Sequence, residues 1–324
     1  MNYRKIGKWG LKVSEIALGS WMMNLAAEES KTLAENIINK AFENGINFFD
    51  CADAYSGGEA EKFLGNVLKK MPRNSYVVSS KVFFPMGPGP NDYGLSRKHI
   101  IDQLDKSLKN LKLDYLDMYF CHRFDSETPM EETFQVLSDL VAKGKILYYG
   151  VSEWSPVQIT EALRVIEKMN LRPLSVIQPQ YNMFDRYIED EIIDICDKNG
   201  VGIVGFSPLA QGLLTGKYRK NEMFPEGSRA TFQADRQVNN LMTIENMEKV
   251  EELIKISKEL DISMAQLSLA WLLRKKEMSS VIIGASKLHQ LEDNIKASGL
   301  EIPKEYLDRI EKLLNYKPFI RRIG

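Results

Sequence analysis

Residues able to hold or move a proton fall at the ends of three neighbouring apolar runs. FFDCADAY (48–55) supplies Asp50, Asp53 and Tyr55, VVSSKV (77–82) supplies Lys81, and YLDMYFCH (115–122) supplies His122. Singly, each has an ordinary structural reading. A lysine stem covers apolar surface while its ammonium reaches water, a histidine after a strand is commonly a hydrogen-bonded structural group, and a tyrosine packs as an amphipathic side chain. As a set they suit one task. A phenol with a pKa near 10 is a poor acid at neutral pH, and a nearby ammonium stabilises the phenolate and lowers that value. A buried lysine keeps its own charge only if a carboxylate holds it. Asp50 is therefore expected to hold Lys81, Lys81 to tune Tyr55, and His122 to donate a hydrogen bond to the oxygen that Tyr55 protonates as hydride reaches its carbon. Asp53 reads as a local loop or cap residue.

Something must bring those three runs together. Eight short apolar runs, 14–20, 46–51, 75–83, 115–121, 146–151, 175–180, 202–206 and 279–284, alternate with amphipathic segments of helical length. The runs are continuous in Val, Ile, Leu, Phe and Tyr, as expected of strands covered on both faces. The segment 96–112 carries Ile100, Ile101, Leu104, Leu108 and Leu111 on one stripe behind a Ser96 N-cap, and Thr128-Pro129 opens a helix over 130–143. Further helices are expected over about 30–43, 58–70, 155–169, 187–199, 263–275 and 287–297. Eight βα units in 324 residues predict one domain, an α/β fold of the (β/α)8 barrel kind. Additions are an N-terminal hairpin over 3–13 turning at Trp9-Gly10, a long insertion over 209–262 and a terminal helix over 303–315. Most of the insertion reads as a solvated loop. For 216–229 a clasp over a bound ligand is the competing reading.

Active sites of such barrels form at the C-terminal strand ends. Besides the residues above, those ends hold Ser152-Glu153-Trp154, Gln178, Gln180 and Tyr181, Phe206-Ser207-Pro208-Leu209, and Gly284-Ala285-Ser286-Lys287. A doubly wound dinucleotide fold is disfavoured: the first run ends Leu18-Gly19-Ser20-Trp21-Met22 without a G-x-G-x-x-G, and 212–218 (GLLTGKY) lacks P-loop spacing. A barrel glycosidase needs two well-separated carboxylates, whereas Asp50 and Asp53 share one strand end. A metal site from Cys51, Cys121 and His122 fails on alternation, which turns both cysteines away from the face holding Asp50 and His122; no metal is expected.

The formal net charge is −1 with signs interspersed, so no nucleic-acid partner is expected. No apolar run approaches the roughly eighteen residues of a membrane span, and the opening MNYRKIGKWG is too polar for a signal peptide. Three widely spaced cysteines imply no disulfide framework, and a reducing cytoplasm is the expected location.

FFDCADAY, VVSSKV, YLDMYFCH, YGVSEW, IQPQYNMF, GFSPLAQGLLTGKY and VIIGASKLHQLEDN occur in the order found in aldo-keto reductases. The chain resembles that family over essentially its whole length. It is most similar to the branch containing the beta subunits of voltage-gated potassium channels, particularly in 94–120 and TPMEET (128–133). The resemblance implies a catalytic tetrad of Asp50, Tyr55, Lys81 and His122, a small carbonyl substrate, and NADPH lying extended across the barrel mouth. It implies that Ser152 and Gln178 hold the nicotinamide carboxamide and that Phe206 stacks on the nicotinamide. Ser20, Trp21 and Asp50 would lie beside that ring. Ser207, Pro208, Leu209, Gln211 and Gly212 would contact the pyrophosphate, with Lys217 and Arg229 reaching in from the insertion. Gly284, Ser286, Lys287, Gln290 and Asn294 match the adenosine-phosphate end. Amides and an ammonium at the start of the last helix suit a 2′-phosphate, favouring NADP over NAD. Two positions depart from the pattern. Glu153 stands where many relatives have Asn and channel subunits have Arg. His122 stands where the channel branch often has Asn, which favours catalysis over the alternative, a non-catalytic or slowly catalytic NADPH-binding redox sensor for a membrane partner. The sequence opens at the hairpin, so no long N-terminal extension like that of the channel subunits is expected, and a ring-like homo-oligomer is left open. Trp21, Met22, Phe84, Trp154 and the loop 85–94 are either pocket lining or ordinary loop packing, and 316–324 would lie near the mouth.

Overall fold

In the computed structural model, which describes residues 1–21, 25–218, 231 and 241–318, eight parallel strands close into a barrel. The chain begins with an antiparallel hairpin, β1 (Tyr3–Lys5) and β2 (Lys12–Ser14). The barrel strands are β3 (Ile16–Gly19), β4 (Phe48–Asp50), β5 (Val77–Val82), β6 (Leu116–Cys121), β7 (Ile146–Ser152), β8 (Val176–Gln178), β9 (Gly202–Phe206) and β10 (Met278–Ile283). Each pairs with its sequence neighbour, and β10 closes on β3. The intervening helices are α1 (Glu28–Glu43), α2 (Glu59–Leu68), α3 (Arg97–Leu111), α4 (Met130–Ala142), α5 (Pro156–Lys168), α6 (Ile192–Asn199), α7 (Ile244–Glu259), α8 (Met264–Leu273), α9 (Leu288–Asn294) and α10 (Lys304–Leu314).

Alternation along the strands sorts side chains into two layers. Ala17, Phe48, Val77, Met118, Phe120, Val176, Val204 and Ile282 fill the barrel interior, and Ile6 and Val13 of the hairpin plug its floor. The intervening positions, among them Leu18, Phe49, Val78, Tyr119, Cys121 and Ile177, pack outward under the helices. Continuing the inner period by two residues places Asp50 above Phe48, His122 above Phe120, and Gln178 above Val176. The same period carries Val77 to Ser79 and Lys81. The barrel geometry therefore delivers these polar groups to one end.

Local signals set the helix ends. Ser96 caps α3 by accepting from the His99 amide, and Lys112 ends it in the left-handed region at φ 59°. Ser155 and Gln158 form a reciprocal capping box at α5, with Pro156 in its first turn. Three elements depart from the sequence expectation. Ser14 belongs to the hairpin, paired with Tyr3 and tied to Asn47, so β3 starts at Ile16. The helix expected over 187–199 is split: a 3-10 turn, Tyr187–Glu189, precedes α6, and Glu191 between them leaves helical geometry at φ −145°. Among the described residues of the insertion, 244–259 form a helix rather than a solvated loop. Thr243 caps α7, and Met247, Val250, Leu253 and Ile256 bury its inner stripe.

A charged lock holds the C-terminal helix. Arg186 lies between the rings of Trp271 and Tyr316, at 4.9 and 4.8 Å, and pairs with Glu189 and Glu311, each at 2.7 Å. Arg274 adds a second cation over Trp271 and against Glu311. With opposing charges distributed in this way, the buried guanidinium of Arg186 is compensated.

Gly150 faces the barrel interior, where an added Cβ would lie 2.4 Å from the Val176 carbonyl and 2.7 Å from the Phe120 ring. Gly150→Ala is expected to lower stability by about 1–3 kcal/mol, the usual cost of overpacking. Urea unfolding should show a lower midpoint with an unchanged slope.

Candidate active site

Lys81 is fully buried, and its ammonium has three oxygen neighbours. Nζ donates to Asp50 Oδ2 at 2.6 Å, to the Cys51 carbonyl at 2.7 Å and to the Tyr55 hydroxyl at 3.3 Å. Burial alone would strip its proton, but the Asp50 carboxylate, with the other neighbours, outweighs it and holds the lysine pKa above the ordinary value. Asp50 is in turn fully engaged: Oδ1 accepts from Ser79 Oγ at 2.7 Å and from Gln178 Nε2 at 2.9 Å. Because a carboxylate only accepts, the Gln178 atom facing it must be the nitrogen. Ser79 escaped the sequence reading, although its place two residues before Lys81, on the same strand face, is a signal for it.

Tyr55 is carried by a tight loop. Ser56, Gly57 and Gly58 take left-handed φ values of 49°, 63° and 91°, returning the chain into α2 directly after the tyrosine. The Tyr55 pKa corrects a sequence expectation. Tyr55 is partly buried, and desolvation of its hydroxyl raises its pKa above the ordinary value of 10; Lys81 pulls the other way without reversing the sign. Tyr55 is thus firmly protonated at neutral pH. His122 packs edge-on to Tyr55 and Phe84, with ring centroids 5.8 and 4.9 Å away. Burial, then the charges of Lys81 and Arg123, push its pKa well below 6.5, so the imidazole is neutral and carries one N–H. Its Nδ1 is buried without a partner among the described residues.

The remaining predicted residues surround this centre. Ser20 donates its amide and hydroxyl to the Asp50 carbonyl, and Trp21 beside it is half exposed. Ser152 donates to the Gln178 carbonyl at 2.8 Å. After β9, Ser207, Ala210, Gln211 and Gly212 adopt left-handed φ values of 52°, 47°, 57° and 99°. The Ala210 and Gly212 amides donate to the Ser207 and Leu209 carbonyls at 3.0 and 2.8 Å, which closes the loop tightly on itself. Gln211 braces this loop by donating to Ser207 Oγ. Pro208 and Leu209 lie within it, and Lys217 folds back so that a Cβ on Gly212 would meet its Nζ at 3.2 Å. At the end of the neighbouring strand β10, Gly284, Ser286 and Lys287 are exposed before α9, Gln290 accepts from the Ser286 amide and hydroxyl, and Asn294 is buried at the end of α9. Phe206 ends β9 on the inner face. Arg229, Met22 and the 319–324 tail lie outside the described residues.

Glu153 has protein partners. It is buried, in the left-handed region at φ 58°, and accepts from the Gln180 amide and the Tyr187 hydroxyl at 2.7 and 3.0 Å. Its carboxylate staples the ends of β7 and β8 to the 187–189 turn. Trp154 is also buried, against Phe124 and Phe134, so it is loop packing. Cys51 and Cys121 lie in the outer layer under the helices, where burial raises their thiol pKa values. Among the described residues no cluster of His, Cys, Asp and Glu has metal-binding geometry, and no helix is long and apolar enough to cross a membrane.

A profile of the aldo/keto reductase family matches residues 15–315. A protein of Arabidopsis thaliana named "Probable voltage-gated potassium channel subunit beta" is 40% identical over 328 residues, covering 98% of this chain and 98% of that protein. One of the same name from Oryza sativa subsp. japonica is likewise 40% identical, with 98% of each chain covered. A Schizosaccharomyces pombe protein named "Putative voltage-gated potassium channel subunit beta" is 38% identical, covering 98% of this chain and 94% of its own.

Asp53 is more than a loop residue. It is buried, and neither carboxyl oxygen meets a side-chain partner. Burial, then the negative charge of Glu61, pushes its pKa up to about 8. The unfolded chain releases that proton near pH 3.9. Between these values the native state binds one more proton than the unfolded state, so this group makes stability fall as pH rises toward 8. Asp53→Asn removes the term. Its stability relative to wild type should increase from pH 4 to pH 8 and level off above, as read from urea midpoints at each pH; a constant difference would contradict this account.

Proposed function

Because the chain belongs to the aldo/keto reductase family, we propose that it is an NADPH-dependent reductase of small aldehydes and ketones, with Tyr55 as proton donor. One observation carries this reading: the Lys81 ammonium bridges Asp50 and the Tyr55 hydroxyl, at 2.6 and 3.3 Å, on the inner face of the strand ends. The chain's donors suit the cofactor. Ser207, Pro208, Leu209, Gln211 and Gly212 with Lys217 would contact the diphosphate, Ser286, Lys287, Gln290 and Asn294 would take the adenosine 2′-phosphate, and Ser152, Gln178, Phe206, Ser20 and Trp21 would hold the nicotinamide. The Gln178 amide, with its nitrogen on Asp50, leaves its oxygen to accept from a carboxamide N–H.

Bound NADPH would supply the hydride. The chain's own residues manage the proton. Tyr55 is protonated at neutral pH and gives its proton to the carbonyl oxygen as negative charge develops there. Lys81 faces the phenolate that remains, and it has more to stabilise after the transfer than before, which is the condition for acceleration. Asp50 keeps Lys81 charged. Neutral His122 donates its single N–H to the same substrate oxygen and orients it.

The names of the relatives motivate a second reading, an NADPH-binding sensor subunit. As a reductase, the chain would act on small carbonyl substrates in the cytoplasm. Tyr55→Phe is expected to reduce turnover of a reactive aldehyde such as 4-nitrobenzaldehyde by about a hundred-fold or more, with NADPH affinity nearly intact; equal loss of both would make Tyr55 structural. Tight NADPH binding by the wild type without turnover of any aldehyde in a panel would favour the sensor. Lys287→Met should weaken NADPH far more than NADH in fluorescence titrations, and a uniform loss would undo the 2′-phosphate assignment.

A further inference from the structure

We propose that Ser79 is a positioning residue of the reaction, acting through Asp50; the inference rests on the reductase reading above. Ser79 stands directly opposite Asp50 in the β4–β5 pairing. It is fully buried, and its hydroxyl donates to Asp50 Oδ1 at 2.7 Å. The carboxylate has two jobs, each assigned to a different oxygen: Oδ2 holds the Lys81 ammonium, and Oδ1 receives Ser79 and Gln178. The whole layer is buried: Ser79, Asp50, Lys81 and Gln178 are each at most 3% exposed. The serine therefore fixes the carboxylate plane so that Oδ2 stays on Nζ, and it leaves Gln178 a single settled orientation. A hydrogen bond to an ionised group is among the stronger ones. Its loss would let Asp50 turn and weaken the charge interaction that keeps Lys81 protonated.

The neighbouring serine provides the contrast. Ser80 is equally buried but faces outward, donating to Glu61 Oε1 at 2.6 Å under α2. Adjacent hydroxyls on one strand thus serve different sides of the barrel wall, and only Ser79 touches the Asp50–Lys81 pair.

The sign of the pH effect follows from Lys81. Asp50 holds its pKa up, so a misplaced Asp50 lets the ammonium lose its proton at lower pH. In Ser79→Ala, kcat for aldehyde reduction should fall by about ten- to a hundred-fold, NADPH affinity should stay near that of wild type, and the alkaline limb of the kcat profile should move to lower pH. Ser79→Thr, which keeps the hydroxyl on a strand-favouring side chain, should restore both rate and limb. Ser80→Ala should leave the alkaline limb where it is. A fall in kcat with an unmoved limb, a limb moved equally by Ser80→Ala, or a Thr variant as poor as the Ala variant would each overturn the proposal. If the wild type reduces no aldehyde, the reductase reading fails and the positioning claim is decided by crystallography. In Ser79→Ala the Asp50 carboxylate should rotate and Oδ2 should leave hydrogen-bond distance of Nζ; an unchanged carboxylate would overturn it.

Discussion

The candidate site depends on one ion pair enclosed by protein. A lysine with no solvent exposure cannot stay charged by itself, since removing an ammonium from water costs several kcal/mol even after relaxation. Asp50 at 2.6 Å offsets that cost, and the Cys51 carbonyl adds a second acceptor. Asp50 would be equally costly alone; Lys81, Ser79 and Gln178 together fill both of its oxygens. Neither member is stable without its partner and its donors. The arrangement is a charge held ready beside a phenol that is itself neutral.

Four strands build this arrangement by one rule. Phe48 and Asp50, Val77 with Ser79 and Lys81, Phe120 and His122, and Val176 and Gln178 all follow the inner-face period of two. The lower members make the apolar interior and the upper members make the site. Burial that stabilises the barrel also acts on the protonation states above it: it makes His122 neutral and raises Tyr55, while at Lys81 it opposes the charge that Asp50 holds in place. The loop of Ser56, Gly57 and Gly58 then brings Tyr55 back over the lysine, a turn that a chain of β-branched residues could not make.

The barrel and the grouping of Asp50, Lys81 and His122 were legible because both are written in periodicity: apolar runs mark strands, and charged or imidazole residues continuing the inner face mark the mouth; Tyr55 follows from its place in the loop just after β4. What escaped lay where pattern is silent about direction or competition. Ser79 is a small residue inside an apolar run, and only the register opposite Asp50 gives it meaning. Glu153 departs from the family pattern at its position, and the sequence does not show that its left-handed backbone turns it onto Gln180 and Tyr187. Asp53 reads as a loop residue by type, and its burial against Glu61 depends on how α2 docks. The direction of the Tyr55 shift required weighing burial against the Lys81 charge, which needs depth as well as neighbours. Helix α7 was legible in principle, through Met247, Val250, Leu253 and Ile256, but the surrounding polar residues obscured the stripe.

The most direct test of this account is the charge state of Lys81 in the wild-type protein, followed by 15N NMR of its side-chain nitrogen as pH is raised from neutrality. The account predicts an ammonium at neutral pH that persists beyond the pH at which an ordinary lysine, with a pKa of about 10.4, loses its proton. A neutral amine at pH 7 would contradict it, because Asp50 would then not be holding the charge on which the proposed role of Tyr55 rests.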